Sequence, residues 1–197
     1  MPSGEDKSNG YESVAHDFIA ARSARRIGEQ TVREWARTLP SGASVLDIGC
    51  GGGVPVTETL LDLELHVCGV DASPTMIEAF RQKFPSAPAR CTDLTADPDL
   101  FGLEFDAAIA WGVLFLLPPD AQIALIGRIG RALRRGGRFA FTAPEQAIEW
   151  TDVMTGRKSI SLGRSAYRSA LAAAGFTLET ETKDEGGNHY YFATKQS

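Results

Sequence analysis

The sequence predicts an α/β fold, a three-layer α/β/α sandwich on a mostly parallel sheet. Between residues 43 and 143, short apolar runs alternate with helical patterns, which is typical of parallel strands joined by helices. The last two apolar runs are separated only by residues 184–188, a turn too short for a parallel crossover. The chain's 197 residues are enough for one domain and too few for two ordinary ones.

Seven strands are expected where short apolar runs meet turn residues: 44–48, 66–70, 87–91, 105–111, 138–143, 176–183 and 190–195. Helices are expected at 11–38 with a break near Gly28, then at 55–65, 73–84, 120–135 and 165–174. Ser73 as cap and Pro74 at the first helical position mark one start, and Asp120 is expected to cap another. Gly136 and Gly137 are expected to stop that later helix. Residues 144–162 are predicted to be irregular.

Composition excludes several classes of protein. The net charge of −5 and pI of about 5.3 argue against a nucleic-acid partner. No apolar run approaches the roughly 20 residues that a membrane helix needs, and the polar start of the chain does not resemble a secretory signal. The three cysteines show no CxxC spacing and the histidines no ligand spacing, so we expect a reducing compartment, no metal and a cytoplasmic location.

The most informative segment is residues 45–53, Val-Leu-Asp-Ile-Gly-Cys-Gly-Gly-Gly. Glycines after a buried strand let the backbone approach a ligand, and ligands of open α/β sheets lie at the carboxyl ends of strands. A dinucleotide loop is one alternative, because Gly49 and Gly51 fit the GxGxxG pattern, but Val54 occupies its third glycine position. A merely tight turn is the other, although four glycines in five residues would cost conformational entropy without packing gain.

Asp71 follows the second predicted strand, about 20 residues after the glycine loop, the spacing at which an acid reaches a ribose. Its carboxylate can accept hydrogen bonds from both ribose hydroxyls. The alternative is an aspartate that only caps a turn.

Together, four segments resemble the consecutive motifs of class I S-adenosylmethionine-dependent methyltransferases. They are residues 45–53, Gly-Val-Asp-Ala-Ser-Pro-Thr-Met-Ile at 69–77, Phe-Asp-Ala-Ala-Ile-Ala-Trp at 105–111, and Leu-Arg-Arg-Gly-Gly-Arg-Phe-Ala-Phe-Thr at 133–142. The resemblance covers roughly residues 43–143. It implies a Rossmann-like methyltransferase fold with a seven-stranded sheet in the order 3-2-1-4-5-7-6, in which strand 7 is antiparallel.

The polar composition of residues 1–10 predicts a disordered tail. The resemblance implies that a single methyltransferase domain follows at 11–197. Within it, residues 11–40 would form a helical lid, residues 43–143 the cofactor-binding core, and residues 144–197 the substrate-side insert, helix and hairpin.

Carried over position by position, the resemblance implies contacts to S-adenosylmethionine, whose product is S-adenosylhomocysteine. Gly49 and Gly51, with Asp47 behind them, would face the methionine part. Asp71 would hold the ribose. The remaining expected contacts are Ala72 and Met76 along the adenine, Asp93 on its amino group, the Leu94 backbone on its ring, the Trp111 carbonyl on the cofactor amino group, and Arg22 on the cofactor carboxylate. Met76 also fits a core position, and Asp93 also fits a turn before Thr95.

The acceptor pocket is expected over the carboxyl ends of the fourth to sixth strands. Residues 111–115 lack the Asn/Asp-Pro-Pro-aromatic signature of relatives that methylate amino groups of adenine or glutamine. The connection 143–163 is long enough to be functional and contains Trp150, Asp152, Arg157 and Lys158. The candidate acceptor contacts are Tyr11, Phe115, Trp150 and Tyr190, and the candidate general base is His189 because imidazoles titrate near neutral pH. Each could instead be a surface or packing residue.

The leading hypothesis is a methyltransferase acting on an O, N or C atom of a small molecule, as a monomer or homodimer. Methylation of tRNA or protein is a second hypothesis. A non-catalytic module that only binds S-adenosylmethionine is a third, and a nicotinamide-dependent oxidoreductase is the weakest because of Val54 and the terminal hairpin.

Overall fold

A computed structural model describes residues 6–196 of the chain. Nine strands are present in that range: β1 (Ser44–Ile48), β2 (His66–Asp71), β3 (Ala89–Cys91), β4 (Phe105–Ala110), β5 (Leu133–Thr142), β6 (Ala147–Thr151), β7 (Lys158–Leu162), β8 (Phe176–Lys183) and β9 (His189–Lys195). Seven of them form one sheet in the order β3-β2-β1-β4-β5-β9-β8, and β6 and β7 form a separate antiparallel pair.

The predicted sheet is confirmed. Strands β8 and β9 are the expected sixth and seventh strands, so the observed order is the predicted 3-2-1-4-5-7-6. Strand β9 runs antiparallel to both β5 and β8, with Ala140 opposite Phe192. The reversed strand follows from the short turn at residues 184–188, as a parallel return would need a long crossover.

The helices are α1 (Ala15–Arg25), α2 (Glu29–Ala36), α3 (Val56–Asp62), α4 (Pro74–Lys83), α5 (Pro119–Ala132) and α6 (Arg164–Ala173), with 3₁₀ turns at Tyr11–Val14 and Leu114–Leu116. The predicted break near Gly28 is present, since Arg26 and Gly28 adopt φ values of 48° and 82°. Ser73 caps α4 as predicted, its hydroxyl accepting the Met76 N–H at 3.1 Å. Among residues 6–196, no helix is long and apolar enough to cross a bilayer.

Three local predictions were wrong. Helix α5 begins at Pro119 with Pro118 in the cap position, so Asp120 lies within the first turn and caps nothing. The chain enters β5 at Leu133, and Gly136 therefore lies inside that strand, where the β4–β5 register shifts, instead of stopping a helix. Residues 144–162 contain β6 and β7 and are therefore not irregular. The sequence did not show the alternation of polar and apolar residues that is typical of strands, because most side chains of β6 are exposed.

The start of the chain also differs from the expected tail at 1–10. Residues 1–5 lie outside the described range. Residues 6–10 form a turn in which both oxygens of Asp6 accept backbone N–H groups, from Ser8 at 2.9 Å and Gly10 at 2.9 Å. Polar composition predicted a tail because it shows neither these local side-chain hydrogen bonds nor the one from the Asn9 side chain to the Lys158 carbonyl, 149 positions away.

The core lies on both faces of the sheet, because successive strand residues point to opposite faces. Leu46 and Ile48 face the layer that contains α5 and α6, whereas Val45 faces the layer that contains α2 and α3. Phe141 stacks on Tyr191 with ring centroids 4.6 Å apart, which fixes β5 against β9. This packing sets the strand ends at which the cavity described below opens.

Gly53 and Gly112 provide a matched test of how tightly the glycine loop is packed. Both have positive φ, 83° and 73°, but a Cβ on Gly53 would lie 2.4 Å from the Phe84 ring, whereas one on Gly112 would meet nothing within 4 Å. Gly112→Ala should lower the free energy of unfolding by about 1 kcal/mol, the left-handed strain alone. Gly53→Ala should lower it by about 3 kcal/mol, because overpacking adds to that strain. Urea denaturation measures both, and equal losses would contradict the packing argument.

Candidate functional site

A cavity of about 310 Å³ opens at the carboxyl ends of β1, β2 and β4. Its floor is the glycine loop that follows β1, and its roof comes from residues 7–11 and from α1. The segments after β4 and β6 supply the far wall. The volume falls within the range of small-molecule sites, and the position is the one expected for ligands of open α/β sheets.

The glycine loop is held in a shape that side chains would prevent. Gly49, Gly51 and Gly53 have φ values of 69°, 53° and 83°. The N–H groups of Gly49 and Cys50 both donate to the Val70 carbonyl, at 2.8 and 3.1 Å, which ties the loop to β2. Backbone therefore forms the floor of the cavity.

Asp71 ends β2 and lines the cavity, with its side chain almost fully buried. Its Oδ2 accepts the Gly51 N–H at 2.9 Å, and its Oδ1 accepts the Ser73 N–H at 2.8 Å. Burial raises the pKa of this carboxyl above its usual value despite those hydrogen bonds. A carboxylate offers about four lone-pair positions, so capacity remains for donors from a ligand.

Asp47 lies behind the loop on β1 and also contributes to the cavity wall. Its Oδ2 accepts a hydrogen bond from the Thr57 hydroxyl at 2.6 Å. Burial raises its pKa from 3.8 to about 7, and the neighbouring Asp71 adds to this effect. The strand VLDI thus places a titratable group beneath the loop.

The expected adenine contacts separate into two groups. Ala72, Met76 and Leu94 line the cavity, and Met76 is 2% exposed. Asp93 does not line it: its Oδ1 accepts the Thr95 N–H and hydroxyl at 2.8 and 2.6 Å. The adenine role expected for Asp93 is therefore corrected to a turn role, the alternative that the adjacent threonine had indicated.

Arg128 of α5 holds the loop that carries Leu94. Its guanidinium donates to the carbonyl oxygens of Leu94 and Thr95, and the residue is 8% exposed. Sequence analysis missed this contact, since arginines on a helix usually face solvent.

Arg22 and Trp111 form one side of the cavity. The guanidinium carbon of Arg22 lies 3.5 Å from the centroid of the Trp111 ring, a close cation–π contact. Within the described part of the chain, the Arg22 guanidinium donates a hydrogen bond from Nη2 to the Ile27 carbonyl at 3.3 Å. Burial lowers the pKa of Arg22 to about 10, so it stays protonated at neutral pH. A half-buried cation with so few acceptors is suited to an anionic group.

Tyr190 was expected to touch the acceptor, and this is corrected. Its side chain is buried in the core behind Trp111, and its hydroxyl donates to Asp184 Oδ2 at 3.2 Å. Asp184 also accepts from the Asn188 backbone and side chain, at 2.9 and 2.8 Å. Of the 184–188 turn, Asn188 reaches the cavity.

His189 was expected to be the general base, and this is also corrected. Its side chain is absent from the cavity wall, and its Nε2 lies 2.8 Å from Glu181 Oε2. Glu181 in turn accepts from Arg164 Nε at 2.9 Å. His189 is the first residue of β9. It packs on Tyr191, which lies two residues later on the same face of the strand, and this face points away from the cavity. In the described part of the chain, no group of three or more His, Cys, Asp or Glu side chains is placed to hold a metal ion.

The far wall of the cavity is aromatic and carries one carboxylate. Phe115 and Trp150 contact each other with ring centroids 5.2 Å apart, and Tyr11 packs edge-on against Phe18 at 5.0 Å. The Tyr11 hydroxyl donates to Asp152 Oδ2 at 3.0 Å. The structure thus places Phe115 and Trp150 in the far wall and Tyr11 in the roof beside Asp152, and their contact with an acceptor stays a prediction.

Residues 7–12, the segment before α1, cross the cavity and are called the strap. The Glu12 carboxylate accepts hydrogen bonds from the Ser73 hydroxyl and from the Thr75 hydroxyl, the latter at 2.7 Å. On the other side, the Asn9 side chain donates to the Lys158 carbonyl at 3.2 Å. The strap therefore connects α4 to β7 over the cavity.

Comparisons with known proteins agree with this geometry. A family model described as a methyltransferase domain matches residues 45–137. The chain is 28% identical over 155 residues to a carboxy-S-adenosyl-L-methionine synthase of Dichelobacter nodosus, covering 74% of this chain and 65% of that protein. It is 31% identical over 129 residues to a tRNA (carboxymethyluridine(34)-5-O)-methyltransferase of Macaca fascicularis, and the match covers 65% of this chain and 18% of that protein.

Among solved structures, a TehB-like SAM-dependent methyltransferase from Corynebacterium glutamicum superposes with a TM-score of 0.72 at 22% identity, covering 94% of this chain and 97% of that one. That likeness establishes the fold. The chain spans less than two thirds of the length of the two curated relatives above.

Proposed function

We propose that this chain is a class I S-adenosylmethionine-dependent methyltransferase that transfers a methyl group to an oxygen, nitrogen or carbon atom of a small molecule. The match of residues 45–137 to a methyltransferase-domain model supports the family, and the fold is the one that such a domain requires. The observation that carries the proposal is one continuous cavity. The glycine loop and Asp71 lie at one end of it, and an aromatic wall lies at the other. A donor and an acceptor can therefore meet inside it.

The residues at the first end fit S-adenosylmethionine by their chemistry. The buried Asp71 carboxylate has lone pairs for two ribose hydroxyls, and the left-handed turns at Gly49 and Gly51 leave room for the methionine part. The Arg22 guanidinium would pair with the cofactor carboxylate. Further contacts would come from Ala72, Met76 and Leu94 on the adenine and from the Trp111 carbonyl on the amino group.

When bound, this cofactor supplies a methyl group on a positively charged sulfur. The chain's own contribution is to orient the acceptor and to exclude water, which together can account for a large part of the rate. The strap and α1 serve the second purpose, because Glu12 and Asn9 hold the roof down from two sides.

The charges around the cavity favour a small molecule over RNA. Two basic residues in the segment after β6 are paired with carboxylates: Lys158 Nζ lies 2.7 Å from Glu149 Oε2, and Arg164 Nε lies 2.9 Å from Glu181 Oε2. The net charge of −5 points the same way. A nucleic-acid acceptor would need exposed cations to meet phosphates.

The test is calorimetric titration with S-adenosylmethionine, with NAD as the control ligand. We expect micromolar binding of the former and none of the latter. Production of S-adenosylhomocysteine is then compared between a pool of small metabolites and bulk tRNA. NAD binding in place of S-adenosylmethionine would overturn the cofactor assignment. Turnover with tRNA alone, lost steeply as salt rises, would overturn the small-molecule acceptor, and binding without turnover on either would favour a regulatory module.

A further inference from the structure

We propose that Asp152 and the aromatic wall select a neutral, planar aromatic acceptor that carries a hydroxyl or ring N–H. The proposal rests on the proposed function and adds the chemical class of the acceptor. It starts from the contrast between the aromatic side chains of this wall and the single carboxylate among them.

Asp152 is built as a fixed hydrogen-bond acceptor. Its Oδ1 accepts the N–H groups of Met154 and Thr155, both at 2.9 Å, and so closes the turn after β6. Its Oδ2 accepts a hydrogen bond from the Tyr11 hydroxyl at 3.0 Å. With Oδ1 held by the turn and Oδ2 aligned by Tyr11, the remaining lone pair of Oδ2 has a defined direction. A defined lone pair in a partly dry cavity discriminates strongly between ligands that donate and ligands that do not.

The surrounding walls are flat. The rings of Phe115 and Trp150 meet at 50°, and those of Tyr11 and Phe18 meet edge-on at 81°. These four rings come from four different segments of the chain. Ring faces and edges favour stacked or T-shaped contact with another aromatic ring.

The charges of the cavity argue for a neutral molecule. Arg22 is assigned to the cofactor carboxylate, Lys7 lines the cavity 3.9 Å from Asp93 and opposes a cationic acceptor, and Asp152 opposes an anionic one. Asp47 and Asp71 are already committed to the glycine loop through Thr57 and Gly51. A neutral ring with one donor group can donate a hydrogen bond to Asp152 without placing like charges together.

The experiment uses ring probes that differ by one donor. Catechol is compared with 1,2-dimethoxybenzene, and indole with 1-methylindole, by NMR titration of the full chain with and without S-adenosylhomocysteine. In at least one pair, the donor probe should bind about tenfold more tightly than its methylated partner. Tyramine and benzoate are titrated as cationic and anionic comparisons, and each should bind more weakly than catechol.

Variants assign the preference to Asp152. Asp152→Ala should remove the preference for the donor probe and leave the affinity for S-adenosylhomocysteine within about twofold. Tyr11→Phe should reduce the preference without removing it, since Oδ2 stays available but loses the hydrogen bond that aligns it. Asp120→Ala, an exposed acid on α5, is the matched control and should change nothing.

The proposal is overturned if neither donor probe is preferred by the wild-type chain, if Asp152→Ala retains the preference, or if a charged probe binds most tightly. Failure of S-adenosylhomocysteine itself to bind would instead count against the proposed function. Because the ring probes are also titrated without S-adenosylhomocysteine, the preference for a donor is measured independently of that result.

Discussion

Asp71→Ala is expected to weaken S-adenosylmethionine binding about 100- to 10,000-fold. Hydrogen bonds to a charged group contribute about 1.5–3 kcal/mol each, and a carboxylate facing a ribose makes two of them. The variant also frees the N–H groups of Gly51 and Ser73, which Asp71 now holds at 2.9 and 2.8 Å. The glycine loop would therefore lose its shape as well as its ribose partner. Calorimetric titration measures the loss.

Asp93→Ala is the matched control for that measurement. Asp93 was expected from the sequence to hold the adenine, but its Oδ1 is occupied by Thr95 and its side chain is not part of the cavity wall. Its replacement should change the affinity by less than about threefold, as expected for a turn residue at the surface. A large loss for Asp93→Ala with a small one for Asp71→Ala would reverse the two assignments.

The sheet and the positions of the glycine loop and Asp71 were predictable because their signals are local. A buried strand, a glycine turn and an acid about 20 residues later lie close in sequence, and their arrangement in space follows from parallel strand order. The same holds for Ser73 and Pro74, whose capping role needs only the next turn of helix. Each of these predictions rests on contacts made within one helix turn or one β–α–β unit.

The aromatic far wall and the roof of the cavity were less predictable because their contacts join distant segments. Tyr11 meets Asp152 across 141 positions, and Asn9 meets Lys158 across 149. His189 was misplaced for a related reason, because one residue of register decides which face of β9 a side chain occupies. Neither the polarity nor the type of a side chain could show that Asn188 faces the cavity while His189 pairs with Glu181.

Asp47→Asn is expected to stabilise the chain at neutral and alkaline pH. The pKa of Asp47 is raised by burial from 3.8 to about 7 in the folded chain. Between those two values the folded state holds a proton that the unfolded state has released, so the free energy of unfolding falls as pH rises through this window. Above pH 7 the full penalty of the buried charge is present, roughly 4 kcal/mol. An asparagine carries no charge and can still accept from the Thr57 hydroxyl.

Urea denaturation of the chain without cofactor, at pH values from 4.5 to 8.5, measures this effect. The wild-type midpoint should fall as pH rises towards 7, and Asp47→Asn should fall less and be the more stable chain at pH 8. Asp106→Asn provides a control of opposite sign. Hydrogen bonds from Ser44 and Arg134 lower the pKa of Asp106, so its charge stabilises the fold, and losing that charge should lower the midpoint most above pH 5. If Asp47→Asn were the less stable chain at pH 8, the buried carboxylate would instead be stabilised in its charged form by the loop above it.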